Sequence, residues 1–141
     1  MQTKFLLPLI LWILCATALL AQAPQQFSYQ AVARASNGDV LATKQVTLRL
    51  SLLNGAPNGP MIYQETHSTT TNNLGLFTLQ IGNGNVQSGS FGSISWGGGA
   101  KYLRVELDPN GGSNYVNMGV TPLLSVPYAL YAEEGGTPYT Q

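Results

Sequence analysis

From Gln45 to Leu53 the chain alternates: Val46, Leu48, Leu50 and Leu52 fall on one side, Thr47, Arg49 and Ser51 on the other. A side-chain period of two marks a strand with one face buried. Lys101–Asp108 repeats the pattern, with Leu103, Val105 and Leu107 inward and Lys101, Tyr102, Arg104, Glu106 and Asp108 mostly outward. Phe77, Leu79 and Ile81 give a third inward set, and Val116, Met118 and Val120 a fourth. Phe27–Arg34 and Met61–Thr70, rich in β-branched and aromatic residues, read as two further strands.

The punctuation between these runs agrees. Asn-Gly occurs at 37–38, 54–55, 58–59, 83–84 and 110–111, each time between candidate strands. Both residues accept the positive φ angles of tight turns. Asp108-Pro109-Asn110-Gly111-Gly112 is the strongest of these signals, and it predicts a hairpin joining 101–108 to 114–120. No stretch of the mature chain carries a long 3.6-residue apolar period, so long helices are not expected. The pattern predicts an all-β protein: a single antiparallel β-sandwich, immunoglobulin-like or transthyretin-like, of about six to eight strands. A barrel is the alternative.

Two segments depart from the alternation. Val86–Ala100 is rich in Gly and Ser, with Phe91, Ile94 and Trp96 spaced through it. It reads as a long loop pinned to the sandwich by those three side chains. Ser125–Gly135 is the one helix candidate, with Pro127 suited to a first helical position and Gly135 to a stop. Tyr128, Leu130 and Tyr131 make it apolar, yet isolated helices this short are marginal in water. Such a segment needs a partner surface, so it is expected to fold back on the sandwich or to promote self-association.

The amino terminus belongs to a different class of pattern. Lys4 precedes an apolar run from Phe5 to Leu14 and then the small residues Cys15-Ala16-Thr17-Ala18. This is the layout of a secretory signal peptide. A cut after Ala23 would place Pro24 just beyond it, which signal peptidase does not accept, so the expected cut follows Ala21, with the sandwich in 22–125. An uncleaved anchor is the competing reading. Phe5–Leu20, interrupted by Pro8, is shorter than the roughly 20 residues of a spanning helix. Residues Trp12-Ile13-Leu14 lack the small side chains that lipidation of Cys15 would require. The expectation is therefore a secreted or cell-surface protein with no membrane span after cleavage.

Composition narrows the function. Residues 22–141 contain no cysteine, which removes disulfides, thiolate nucleophiles and thiolate-bound metals from the mature chain. Charged residues make up only 9% of the 141 residues and the formal net charge is zero, too little basic surface to hold nucleic acid.

Candidate chemistry is sparse. His67 is the sole histidine and, on a strand, shares a face with Glu65, with Ser68 next to it. A hydrolase centred on it would need a marked nucleophile, and no Gly-x-Ser-x-Gly elbow occurs. A strand histidine packed beside Tyr63, or bonded at the rim, is the structural alternative. Gly82-Asn83-Gly84 and Gly97-Gly98-Gly99 lack the spacing of phosphate loops and read as turn glycines. Asp108, Asn110 and Gly111 lack the later acidic ligands of a calcium loop. No metal and no cofactor is expected. Tyr63, Trp96, Tyr102 and Tyr115 could stack on a carbohydrate, although core packing accounts for the same residues.

Several passages resemble one family: Phe27–Arg34, Ser36-Asn37-Gly38, Tyr63–His67, Asn73–Phe77, Gly99–Asp108 and Leu123–Ala132. The chain is similar over residues 22–134 to the N-terminal module of large secreted or surface proteins of Gram-negative, Bacteroidetes-type bacteria. There the module follows the signal peptide and precedes collagen-like, repeat or tail-fibre-like stalks. Its most specific part is Ser125–Ala132, which marks the junction to the stalk. The resemblance implies a structural, mounting or adhesion domain without catalytic residues. A stalk is absent from these residues, so any function carried by a stalk lies outside this reading.

Overall fold

The computed structural model describes residues 25–124. The expected leader in 1–21, the helix candidate at Ser125–Gly135 and the proposed interface residues Tyr128, Leu130 and Tyr131 lie outside them. Seven strands and one 3₁₀ turn follow in order: β1 (Phe27–Val32), β2 (Gln45–Asn54), β3 (Met61–Thr70), β4 (Leu76–Ile81), β5 (Asn85–Ser88), the turn Phe91–Ser93, β6 (Lys101–Asp108) and β7 (Val116–Leu123). All pairings are antiparallel: β1 with β4 in a two-stranded sheet, and β5-β3-β2-β6-β7 in a five-stranded one. The protein is an all-β sandwich. Among the described residues no helix is long and apolar enough to cross a membrane.

The core is the alternation made physical. Val46, Leu48, Leu50 and Leu52 of β2 are buried, and so are Leu103 and Leu107 of β6 and Phe77, Leu79 and Ile81 of β4, all in one cluster with Tyr63 and Ala33. β2 is the central strand, flanked by β3 and β6, and its apolar face packs against Phe77, Leu79 and Ile81 of the small sheet. Leu50 pairs with Glu65 on one side and Val105 on the other.

Three sequence expectations are corrected. Asp108, expected outward, is buried and accepts hydrogen bonds from the backbone N–H of Asn110 and Asn114, both 2.9 Å. The hairpin turn folds around its carboxylate, and those backbone donors hold the carboxyl below its usual pKa. Lys101 is also buried, because its ammonium donates to the carbonyls of Gly98 and Gly99 at 3.2 and 2.8 Å. The third correction is β7. Val116 and Met118 are 58% and 47% exposed rather than buried in the core, and Val120 pairs with outward Arg104. A bulge between Val105 and Glu106 leaves Met118 unpaired, so the period of two breaks there. Gly119 supplies the required backbone at φ +137°, and its N–H donates to Asn117 Oδ1 at 2.9 Å.

The Gly/Ser segment 86–100 is more ordered than a plain loop. It begins inside β5, which pairs with β3, and it contains the 3₁₀ turn. Phe91 and Ile94 pack on the core as expected.

Candidate functional site: a buried tyrosine–glutamate–histidine cluster

On β3, Tyr63, Glu65 and His67 stand on the inner face because they are two residues apart. Tyr63 fills core volume against Phe91, with ring centroids 5.2 Å apart in an edge-on arrangement. The Glu65 side chain is 0% exposed, and that of His67 12%. A carboxylate at such a depth persists only if its oxygens are met by donors. Glu65 Oε2 accepts from the Tyr63 hydroxyl at 2.6 Å and from the N–H of Gly82 and Gly84, each 3.1 Å. Glu65 Oε1 lies 2.8 Å from His67 Nε2 and also accepts from Gly82 N–H at 3.1 Å.

The β4–β5 turn, Gly82-Asn83-Gly84, thus forms a small cradle of backbone donors around the carboxylate, an anion site filled from within. Both glycines are fixed by space. A Cβ at Gly84 would sit 2.4 Å from His67 Nε2 and 2.9 Å from Glu65 Cδ. One at Gly82, where φ is +100°, would meet the Gln25 carbonyl at 2.5 Å. Burial on its own would raise the Glu65 pKa. The hydrogen bonds from His67, Tyr63, Gly82 and Gly84 outweigh it and hold the carboxyl below its ordinary value. An ionised carboxylate only accepts, so His67 Nε2 carries the hydrogen of their bond. Burial and the bond to Glu65 push the Tyr63 phenol well above its ordinary pKa, so it stays a donor.

The hydrolase reading named Ser68 as the residue next to this pair. Ser68 lies on the opposite face of β3, and its Oγ accepts from Gln45 Nε2 at 3.2 Å. Glu65 and His67 are brought together as the spacing allows, but Ser68 is not brought to them.

A family model described as Domain of unknown function (DUF8740) matches residues 28–122. The chain belongs to that family. No curated protein and no solved structure matches the chain. The DUF8740 stretch runs from β1 into β7 and so includes every strand of the sandwich and the whole Glu65 cluster.

The four aromatic candidates of the DUF8740 domain are dispersed. Tyr63 is buried in the core and offers no face to a ligand. Tyr102 and Tyr115 belong to opposite ends of the β6–β7 pair, since Tyr102 pairs with Pro122 while Tyr115 precedes Val116, the partner of Leu107. Tyr115 carries the Arg49 guanidinium 4.5 Å above its ring. Arg49 in turn makes a bidentate pair with Glu106, both bonds 2.7 Å, across the outer face of the large sheet. Trp96 alone is half-exposed, at 45%. It packs against Phe27 and Phe91, with centroids 6.2 and 5.4 Å away, at one wall of an open groove that also includes Gln25 and Gln26.

Sequence reasoning singled out Glu65 and His67 but treated Gly82 and Gly84 as turn residues only. The signal for their role was there: a glutamate on the inner face of a strand requires donors, and Gly-Asn-Gly is a segment able to present consecutive N–H groups. Among the described residues no group of three or more His, Cys, Asp or Glu is placed to hold a metal ion.

Proposed function

We propose that the chain is an exported, non-enzymatic structural and interaction module, the N-terminal mounting domain of a cell-surface or secreted fibre-like protein. The observation that supports this reading is the Glu65 cluster. Glu65, the most deeply buried carboxylate among the described residues, bonds to the chain's sole histidine, to Tyr63 and to the β4–β5 turn, which is the work of a latch between strands. Location and turnover test it together. Brief proteolysis of intact cells is expected to release peptides of this chain, and the exported form is expected to begin at Gln22. His67→Ala is expected to lower stability without abolishing any ester or glycoside hydrolysis. Intracellular protein that retains Met1, or turnover by the parent that vanishes in His67→Ala, contradicts the proposal.

A second reading is a carbohydrate-binding module, and one observation favours it: half-exposed Trp96 lines one open groove together with Gln25 and Gln26. Removal of the leader leaves Trp96 as the sole tryptophan, so its emission reports on this groove alone. Saturable quenching by an oligosaccharide, lost in Trp96→Ala, supports this reading. Unchanged emission across a panel of plant and bacterial glycans removes it.

A further inference from the structure

The inner faces of β2 and β6 do not end on apolar residues. Asn54 pairs with Lys101 at the last rung of their ladder, two positions beyond the buried pair Leu52 and Leu103, so the four side chains share one face. Lys101 is 5% exposed. Its ammonium has three N–H donors, and the carbonyls of Gly98 and Gly99 take two of them. A tight turn brings those carbonyls to it, closed by the Gly98 N–H donating to the Ser95 carbonyl at 3.1 Å. Carbonyls bear no net charge. The ion pairs among the described residues are Arg49 with Glu106 and His67 with Glu65, so Lys101 keeps both a donor and a charge to be met. On the paired strand, Asn54 Oδ1 is buried and receives no hydrogen bond from the described residues.

Asn54 and Lys101 line one pocket of about 240 Å³ together with Ser90, Ser93 and Ser95 of the Gly/Ser segment. Ile62 and Ile94 give it an apolar wall. We propose that this pocket binds a hydroxylated carboxylate of the uronic-acid type. The carboxylate meets the third N–H of Lys101 with opposite charge. A phosphate or sulfate group calls for more cationic donors than one ammonium, and no arginine lines the pocket. A bare carboxylate has no hydrogen to give Asn54 Oδ1, whereas a ring hydroxyl does. Serines both donate and accept, as the other hydroxyls of a sugar require, and the isoleucines suit the C–H face of its ring. The pocket shares only Ile94 with the groove beside Trp96. The proposal goes beyond both functional readings and depends on neither.

Amide NMR shifts of Gly98 and Gly99 in the exported protein test this. Galacturonate is expected to move them saturably, with a dissociation constant of about 1 mM or below. Galactose, which lacks the charge, and acetate, which lacks the hydroxyls, are each expected to bind at least about tenfold more weakly. Lys101→Met is expected to abolish the response to galacturonate, and Trp96→Ala to keep it. If Lys101→Met does not fold, Asn54→Asp, which sets a fixed carboxylate on the strand paired with Lys101, replaces it with the same expectation. Trigalacturonate binding as tightly as the monomer supports the proposal with an acidic polysaccharide as the source; binding of the monomer alone supports it with a free sugar acid. No saturable shift with galacturonate overturns the proposal. So does galactose or acetate binding equally well, or a response that survives Lys101→Met and is lost in Trp96→Ala, which would place the site in the other groove.

Discussion

On the β3 side of the large sheet the inner face carries a tyrosine, a glutamate and a histidine, and it is sealed. On the β7 side it carries Val116, Met118 and Thr121, and it stands open. Residue polarity would assign burial the other way round. The difference lies in what each flank has above it. The β4–β5 turn brings two glycine N–H groups onto Glu65, and Phe91 closes over Tyr63, so a charge is kept dry by donors. Nothing among the described residues lies above β7 beyond the edge of β1, so apolar side chains there meet solvent. Burial in this sandwich follows coverage, and coverage is set by which loop crosses which strand.

The contrast can be probed by substitution. The largest effect belongs to the shared core: Leu50→Asp places an unpaired charge between Glu65 and Val105 and should cost about 3–5 kcal/mol, a large part of the stability of a small domain. Circular dichroism in denaturant should show the variant mostly unfolded at room temperature. Gly84→Ala comes next. Its methyl would overlap the His67 ring and crowd the Glu65 carboxylate, and a loss of about 2–3 kcal/mol is expected. A thermal midpoint equal to the parent's would show that the sealed flank is looser than the distances imply. Arg49→Ala removes the bidentate pair with Glu106 and the contact with Tyr115, for about 1 kcal/mol, less in high salt. Val116→Thr on the open flank should stay within about 0.5 kcal/mol. If it cost as much as Gly84→Ala, the two flanks would not differ in the way described.

Much of the fold could be read from alternation. Met61–Thr70 and Lys101–Asp108 were delimited by pattern alone and coincide with β3 and β6. The inward set of β2 is buried as expected because the strand is central and both its neighbours are long. β7 was misread because the bulge at Met118 adds one residue to the strand, and a one-residue slip moves every later side chain to the other face. Pro122 was the available warning. A proline that pairs within a sheet belongs to an edge strand, and edge strands are the least covered. At the Glu65 cluster, spacing within β3 was enough to place Glu65 beside His67. The Gly82 and Gly84 donors come from another part of the chain, and only the fold of the β4–β5 turn brings them there. Asp108 shows the same limitation: its turn was recognised, but the folding of that turn around its side chain was not.

Glu65 is ionised, buried and held by its donors as a latch. Because its carboxyl lies below the ordinary value in the fold, its stabilisation is complete above the pKa it has in the unfolded chain. It is lost as the pH falls through the folded pKa. Glu106, lowered chiefly by Arg49, and Asp108, lowered by backbone donors, share this direction, so the parent should weaken steadily in acid. The decisive measurement is the unfolding free energy of the parent and of Glu65→Gln across pH 7 to pH 3. At pH 7 the variant should be less stable by about 2 kcal/mol, because an amide cannot accept from all the donors around it. That gap should shrink towards pH 3, where protonation gives the parent a neutral side chain at the same place. A gap of zero at pH 7, or one that stays constant down to pH 3, would contradict the account.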